Sequence, residues 1–458
     1  MEPLRSADPF PSLPTASTSG HPGVQRRRVV QAIAAGAATA ALPGLGRAQG
    51  APVRVGYTMS RTGPWSVGAQ VSQEPNYLLW AEQVNAAGGL SVKGAKRPVE
   101  LVSSDDRSDI ETCVRTYEKL MGSDKVDIIL PPWGSNANFA IAPIANRMGY
   151  PFLAPTALSR RLVEMKLPYF FLLLQQPKPM MEALVDMLKG NGAKSAAVIY
   201  VDDLFGLENY AALKVALGGT GITIVEEKSY PLGVKDLSPV LRGMKDKNPD
   251  AFIGLTYPPD TILASKQSKE VGFNPKFFYA SVGTAFQLYR NVMQAGAEGV
   301  LGMGSWNPKT SPGAKAYFDA HVKKFGAQKE PDRWASGHCW AGLQIISNAA
   351  AKVGLDRKAM RDYVANTVHD TIIGNVRFAG SENVGTPGTV SQWQKGEFEV
   401  VWPKAAATAP LNASKPACVE GLGFCCYFSQ AGSRPVAGHF ALAQMKVTKA
   451  KGLLPRIG

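Results

Sequence analysis

A short polar turn between an apolar run and a helical stretch is the first place where this chain could carry out chemistry. The run 128–130 (IIL) is short enough for one buried parallel strand, and residues 131–136 have the composition of a turn. Apolar spacing over 138–147 then predicts a helix. Unpaired N–H groups at a helix start suit a carboxylate, because open α/β sheets bind ligands beyond the carboxyl ends of their strands. Capping of the helix by Ser135 or Asn136 is the alternative role.

Two pairs of adjacent acidic residues are the other candidates for chemistry. Asp105-Asp106 and Asp202-Asp203 each follow a predicted strand, where neighbouring side chains point apart, so helix capping is the favoured role. The sequence contains no P-loop, no G-x-S-x-G, no H-E-x-x-H and no G-x-G-x-x-G after a strand. It also lacks Cys-x-x-Cys and paired histidines at metal-binding spacing. We therefore expect no enzyme activity, no metal and no cofactor.

Length and charge narrow the classes of protein further. A chain of 458 residues with 45% hydrophobic and 19% charged residues is typical of a globular protein of two to three domains. The net charge of +14 is not concentrated, because residues 51–404 contain 39 basic and 33 acidic residues without a basic stripe. This distribution argues against a nucleic-acid partner.

The first fifty residues predict an export signal. Arg26-Arg27-Arg28 precede a mildly apolar run over 29–45, and residues 46–48 (GRA) roughly fit a cleavage site. The double arginine favours twin-arginine export, with an ordinary Sec signal as the alternative. We expect residues 1–50 to be this segment and the protein to be periplasmic. Residues 405–458 contain three of the five cysteines and form a tail of unassigned role.

The rest of the chain alternates between strand and helix. Ser108 and Glu111 have the spacing of a capping box, and predict a helix over 109–121. Residues 386–402 predict an antiparallel hairpin. Two α/β sets of similar size indicate two lobes whose strand ends face a shared cleft. The strands expected in the two sets include 53–59, 98–103, 128–130, 195–201, 250–255 and 277–280.

Several short motifs occur in an order that resembles a known family. The resemblance covers residues 52–404 and is to the periplasmic solute-binding proteins of the leucine/isoleucine/valine-binding type, which serve ABC importers. The motifs are Gly63-Pro64, NAAGGL at 85–90, Asp105-Asp106, Gly134-Ser135, APT at 154–156, Phe205-Gly206 and VWP at 401–403.

The resemblance implies an α/β fold of the periplasmic-binding-protein type I. This fold has two Rossmann-like lobes with parallel sheets, joined by a three-crossover hinge that closes on a ligand. Lobe one is expected to contain residues 52–172 and about 301–371. Lobe two is expected to contain residues 173–300 and 372–404.

The resemblance also implies a ligand pocket, in which backbone N–H groups and the hydroxyls of Ser135 and Thr156 hold a carboxylate. The pocket residues carried over in lobe one are Trp65, Trp133, Gly134, Ser135, Ala154 and Thr156. Those carried over in lobe two are Phe205, Tyr257, Ser281, Val282 and Gly283.

Two of these positions depart from the family pattern. Phe205 stands where branched-chain amino acid binders tend to have Tyr, and Val282 aligns with the acid that pairs with the ligand's ammonium. An unpaired buried ammonium costs several kcal/mol. An α-amino acid ligand therefore requires Asp202 or Asp203 to replace that acid. Otherwise the aromatic residues would wall an apolar or aromatic carboxylate or amide, or would simply pack in the core.

We therefore expect the extracytoplasmic solute-binding component of an ABC importer. It would act as a monomer, capture an amino acid or an aromatic acid or amide, and deliver it to a permease in the inner membrane. A ligand sensor of the same fold that acts on a partner protein is the first alternative. An exported enzyme is the less favoured second alternative.

Overall fold

A computed structural model of the protein describes residues 50–413. The predicted export segment, apart from Gly50, lies outside the described residues. Most of the predicted tail, from residue 414 onward, does too, together with its three cysteines.

The strands of the described residues are short, and most lie inside the protein. They are β1 (Val53–Met59), β2 (Leu90–Val92), β3 (Ala95–Arg97), β4 (Val99–Asp105), β5 (Ile128–Ile129), β6 (Phe152–Ala154), β7 (Phe170–Leu172), β8 (Ser195–Val201), β9 (Thr223–Tyr230), β10 (Ala251–Leu255), β11 (Phe277–Ala280), β12 (Leu301–Met303), β13 (His369–Thr371), β14 (Gly374–Val376), β15 (Phe378–Ala379), β16 (Glu382–Asn383), β17 (Val390–Gln394) and β18 (Glu397–Trp402).

Helices connect most of the parallel strands. They are α1 (Ser66–Ser72), α2 (Glu74–Ala86), α3 (Ile110–Gly122), α4 (Ser135–Arg147), α5 (Arg160–Glu164), α6 (Pro177–Gly190), α7 (Leu204–Leu217), α8 (Ser238–Asp246), α9 (Pro258–Glu270), α10 (Gln287–Met293), α11 (Pro312–Phe325), α12 (Ala335–Val353) and α13 (Arg357–Asn366). Within residues 50–413, none of these helices has the length and apolar character needed to cross a bilayer.

Among residues 50–413 the strands form three larger sheets and two two-stranded sheets, β2-β3 and β13-β14. A parallel sheet has the order β4-β1-β5, and a second sheet has the order β15-β16-β7-β6. The largest sheet has seven strands in the order β18-β17-β12-β11-β10-β8-β9, in which only the β12-β17 and β17-β18 pairs are antiparallel. The inner parallel strands are strongly apolar, and β10 is buried along its whole length, because parallel sheets carry helices on both faces. The edge strands β4 and β9 are more polar and more exposed.

Most of the elements predicted from the sequence are confirmed. Strands β1, β8 and β11 have the predicted bounds. The predicted hairpin is formed by β17 and β18. Its turn residues Lys395 and Gly396 have φ angles of 51° and 88°, the geometry that a tight two-residue turn requires.

The predicted capping box at Ser108 and Glu111 is wrong. The residue that caps α3 is Asp109, whose side chain accepts a hydrogen bond from the Thr112 N–H at 2.7 Å. Ser108 has a φ of 57° and lies outside the helix. Asp109 is itself a favoured capping residue and lies one position nearer to the helix than Ser108, so it takes the capping position.

The chain passes between the seven-stranded sheet and the other two larger sheets three times, as the predicted hinge requires. These passages lie between β7 and β8, between β12 and β15, and between β16 and β17. Two pairings differ from the predicted lobe bounds. Strand β12 pairs with β11 and β17, although residue 301 was expected to open the return to lobe one. Strand β16 pairs with β7, although residues from 372 onward were assigned to lobe two.

Candidate functional site

The turn after β1 is fixed by polar contacts of Ser108 and Asp106. The Ser108 hydroxyl donates to the Thr62 carbonyl at 2.7 Å and accepts from the Trp65 N–H at 3.1 Å. Asp106 accepts hydrogen bonds from the hydroxyls of Thr58 and Ser60 at 2.9 and 2.6 Å. Asp105 also bonds to this turn, accepting from the Arg61 N–H at 2.9 Å. The pair therefore holds the turn that carries Trp65, and the helix-capping role expected for it is wrong, since Asp109 caps α3.

The turn before α4 places its serine inside the protein. The alternative that Ser135 or Asn136 caps this helix is wrong, since Gly134 is the cap residue and makes no side-chain capping hydrogen bond. Gly134 has a φ of 88°, which favours glycine. The Ser135 hydroxyl accepts from the Leu158 N–H at 3.0 Å. Asn136 donates to Asp203 Oδ2 at 3.0 Å, so α4 is linked directly to the start of α7.

Thr156 is engaged in the same region. Its hydroxyl donates to Gln73 Oε1 at 2.9 Å and lies 3.4 Å from the Gly134 nitrogen, which donates to it. Gln73 in turn donates to the Pro131 carbonyl at 2.5 Å. Both hydroxyls that were predicted to hold a carboxylate therefore bond to protein groups in this structure.

Three of the predicted aromatic residues lie together. The Trp133 ring centroid is 5.6 Å from that of Tyr257, and Tyr257 stacks on Phe205 at 5.1 Å. The Trp133 indole lies against α1, where a Cβ at Gly68 would come 2.3 Å from the ring. Trp65 is also buried, and its indole N–H has no hydrogen-bond partner among residues 50–413.

Asp203 connects the two α/β sets. Its Oδ2 accepts from the Tyr257 hydroxyl at 2.7 Å as well as from Asn136, and its Oδ1 accepts from the Gly206 N–H at 3.0 Å. Burial raises the pKa of Asp203, and these hydrogen bonds partly offset the shift. Asp202 is exposed. Asp203 thus uses both of its carboxylate oxygens on protein groups.

The Ser281-Val282-Gly283 loop follows β11 and packs on the start of α9. The Ser281 hydroxyl accepts from the Thr256 N–H at 2.9 Å and donates to the Thr256 carbonyl at 3.1 Å. Val282 is buried. A Cβ at Gly283 would come 2.6 Å from Pro258 Cα. The loop is held tightly but brings no charge to the site.

A cavity of about 620 Å³ opens beside this cluster. Of the eleven predicted pocket residues, only Tyr257 lines it. Two ionisable residues that sequence reasoning missed, Lys235 and Asp260, also line it. The full lining is Gly63, Pro64, Leu232, Gly233, Val234, Lys235, Tyr257, Pro259, Asp260 and Leu263.

Asp260 is the buried charge of this cavity. Its residue is 3% exposed, and its Oδ2 accepts from the Tyr230 hydroxyl at 3.3 Å. Burial raises the pKa of Asp260 to about 6. The available sequence signal was its place in the first turn of α9, but that position predicts only helix capping. Among residues 50–413, no three His, Cys, Asp or Glu side chains could hold a metal ion.

Comparison with known proteins identifies the family. Residues 52–397 match the model of the periplasmic binding protein family. This chain belongs to that family. Leu/Ile/Val-binding protein homolog 7 of Brucella suis biovar 1 (strain 1330) is 24% identical over 409 residues, which cover 84% of this chain and 97% of the relative. Homolog 8 of Brucella abortus (strain 2308) is 25% identical over 74% of this chain and 87% of the relative.

Solved structures agree with this assignment at the level of the fold. The branched-chain amino acid transporter substrate-binding protein LivJ of Streptococcus pneumoniae, in complex with isoleucine, has a TM-score of 0.68 and 20% identity, and covers 77% of this chain and 100% of that one. A solute-binding protein of an R. palustris ABC transporter, in complex with benzoate, has a TM-score of 0.68 and 16% identity, and covers 81% of this chain and 99% of that one.

These findings confirm the resemblance and the fold class. The chain is a periplasmic binding protein with the α/β, type I architecture of its structural neighbours, among them branched-chain amino acid binding proteins. Members of the family are extracytoplasmic proteins that bind small molecules for ABC transporters, and they are not enzymes.

Proposed function

We propose that this periplasmic binding protein captures a small carboxylate-bearing solute between its two lobes and delivers it, without chemical change, to an ABC permease of the inner membrane. The protein acts as a monomer and reaches the periplasm through a twin-arginine or Sec signal in residues 1–50. Its lobes follow the predicted division, with the bounds moved to the passages after β12 and after β16.

The observation that carries this proposal is the position of the cavity. Pro64 belongs to the turn after β1, whereas Lys235 and Tyr257 come from loops after β9 and β10. The cavity therefore lies between the two α/β sets, beyond the carboxyl ends of their strands, where such sheets bind ligands. Its volume and its mainly apolar lining are those of a small-molecule site.

The eleven carried-over residues keep their proposed ligand-binding roles beside this cavity, of which Tyr257 forms part of the lining. Trp65 is buried beside the turn that lines the cavity, and its indole N–H is available as a donor. The backbone around Gly134, at the start of α4, is suited to a carboxylate. Trp133, Phe205 and Tyr257 supply an aromatic wall next to the cavity. This wall suits the hydrocarbon body of an amino acid or of an aromatic acid.

Titration calorimetry of the purified protein with leucine and with benzoate tests the proposal. We expect one-to-one binding of at least one of them, with recovery of the unchanged compound. Tyr257→Ala should weaken that binding at least tenfold, because it removes the ring that joins Trp133, Phe205 and the cavity. The matched control is Tyr363→Ala, whose ring packs on His369 and lies outside the cavity lining.

The proposal would be contradicted if neither compound bound, or if a bound compound were converted to a product. Conversion would favour the exported enzyme. Equal losses in Tyr257→Ala and Tyr363→Ala would show that the cavity is not the site.

A further inference from the structure

The cavity between the lobes contains a carboxylate to which the proposed function gives no role. Asp260 lies in the first turn of α9 and is almost fully buried. The residues that share the cavity with it are mainly apolar, among them Pro64, Leu232, Val234 and Leu263. A carboxylate in such surroundings is unfavourable unless a cation or several hydrogen bonds compensate it.

The protein compensates this charge only in part. The Tyr230 hydroxyl donates to Asp260 Oδ2 at 3.3 Å, and the backbone of Tyr257 supplies a further hydrogen bond. Since an ionised carboxylate has about four acceptor positions, some remain open. Within residues 50–413, no basic side chain forms an ion pair with Asp260. Lys235 is exposed and contributes only a weak favourable field.

The other acid near the cleft is already satisfied. Asp203 accepts hydrogen bonds from Asn136, Tyr257 and Gly206. It is therefore a link between the lobes, and it does not line the cavity. Of these two acids, only Asp260 combines open acceptor positions with a place in the cavity wall.

We propose that Asp260 is the counter-ion for a protonated amine of the bound solute, whose hydrocarbon part lies against Pro64, Leu232, Val234 and Leu263. This inference rests on the proposed function, because it assumes a solute between the lobes. It assigns the amine to a position other than Val282, where the family's acid is missing. The solute is then an apolar compound that carries both a carboxylate and an amine.

Matched pairs of compounds that differ only in the amine test this inference. The probes are leucine with 4-methylpentanoate, phenylalanine with 3-phenylpropanoate, and 4-aminobutanoate with butanoate. Each is titrated by calorimetry into the intact protein, Asp260→Asn and the control Asp202→Asn, whose carboxylate is exposed on the same lobe. Circular dichroism verifies that each variant is folded, and Asp260→Glu is the second variant, which retains the charge.

We expect every pair that binds to favour its amine member by roughly 100-fold, because an ammonium without its counter-ion is poorly tolerated inside a protein. Asp260→Asn should reduce this preference to less than about tenfold, while Asp260→Glu and Asp202→Asn should retain it.

Equal or tighter binding of the amine-free acids would overturn the inference and leave the proposed function standing. A preference that survives in Asp260→Asn would also overturn it. If none of the six compounds bound, both the inference and the proposed function would be overturned.

Discussion

Two groups of residues on opposite sides of the cleft differ in charge and in how fully their polar atoms are hydrogen-bonded. The neutral wall, defined by Gln73, Gly134, Ser135 and Thr156, consists of uncharged polar groups that bond to one another or to nearby backbone. The charged wall, defined by Asp203, Tyr257 and Asp260, contains two carboxylates whose pKa values are raised by burial. The neutral wall therefore fixes backbone geometry, and the charged wall retains unfavourable electrostatic energy that a ligand could relieve.

This difference predicts substitutions with opposite signs on the two walls. Removing a polar group from the neutral wall should destabilise the protein, because its partners are left unpaired. Removing the charge of Asp260 should stabilise the ligand-free protein, because a desolvated carboxylate is lost.

The larger expected effect is that of Asp260→Asn on stability. A carboxyl with a raised folded-state pKa binds its proton more tightly when folded, so stability is lost as pH rises from about 3.8 to about 6. Above pH 6 the penalty approaches about 3 kcal/mol. Asp260→Asn should therefore increase the free energy of unfolding at pH 7.5 by up to that amount, and change it little near pH 4. Urea unfolding at both pH values measures the difference.

The groups that act on Asp260 are Asp203, Tyr230, Tyr257 and Lys235. None of them forms an ion pair with Asp260, because Lys235, the one cation among them, is exposed and acts only weakly. A loss of stability in Asp260→Asn at pH 7.5 would mean that the protein itself satisfies this carboxylate, and the contrast between the walls would fail. Asp202→Asn, in the exposed position, should change stability by less than about 0.5 kcal/mol at both pH values.

The smaller effect is that of Thr156→Val, which retains the side-chain volume. It leaves Gln73 Oε1 and the Gly134 N–H without their hydroxyl partner in a buried site. We expect a loss of about 1–2 kcal/mol in the free energy of unfolding. The control is Thr116→Val on α3, whose hydroxyl bonds only to a carbonyl of its own helix. Equal losses of stability in the two variants would show that the hydrogen bonds of Thr156 contribute no more to stability than an ordinary bond within a helix.

The sequence predicted the strands well because their apolar runs reflect burial on both faces. Residues 53–59 and 195–201 were bounded correctly for this reason. The passages between sheets were harder to place. Leu301–Met303 and Glu382–Asn383 are short, and their sheet depends on partners far away in the chain, which no local pattern records.

The sequence predicted several residues of the site, but it did not predict which of them contact one another or line the cavity. The family resemblance supplied Trp133, Phe205 and Tyr257, and the structure brings these rings together. No local signal connects Thr156 to Gln73, which is 83 residues away. Asp260 has the sequence signature of an ordinary residue in a first helical turn. Only the fold reveals that it is buried in a cavity wall.

We propose that one solute contacts both the neutral wall and the charged wall at once. The decisive measurement is amide hydrogen–deuterium exchange, with and without a saturating concentration of the tightest-binding matched-pair compound. We expect slower exchange both at the start of α4, from Gly134 onward, and in the first turns of α9, around Asp260. Protection confined to one wall, or found only away from the cleft, would contradict it.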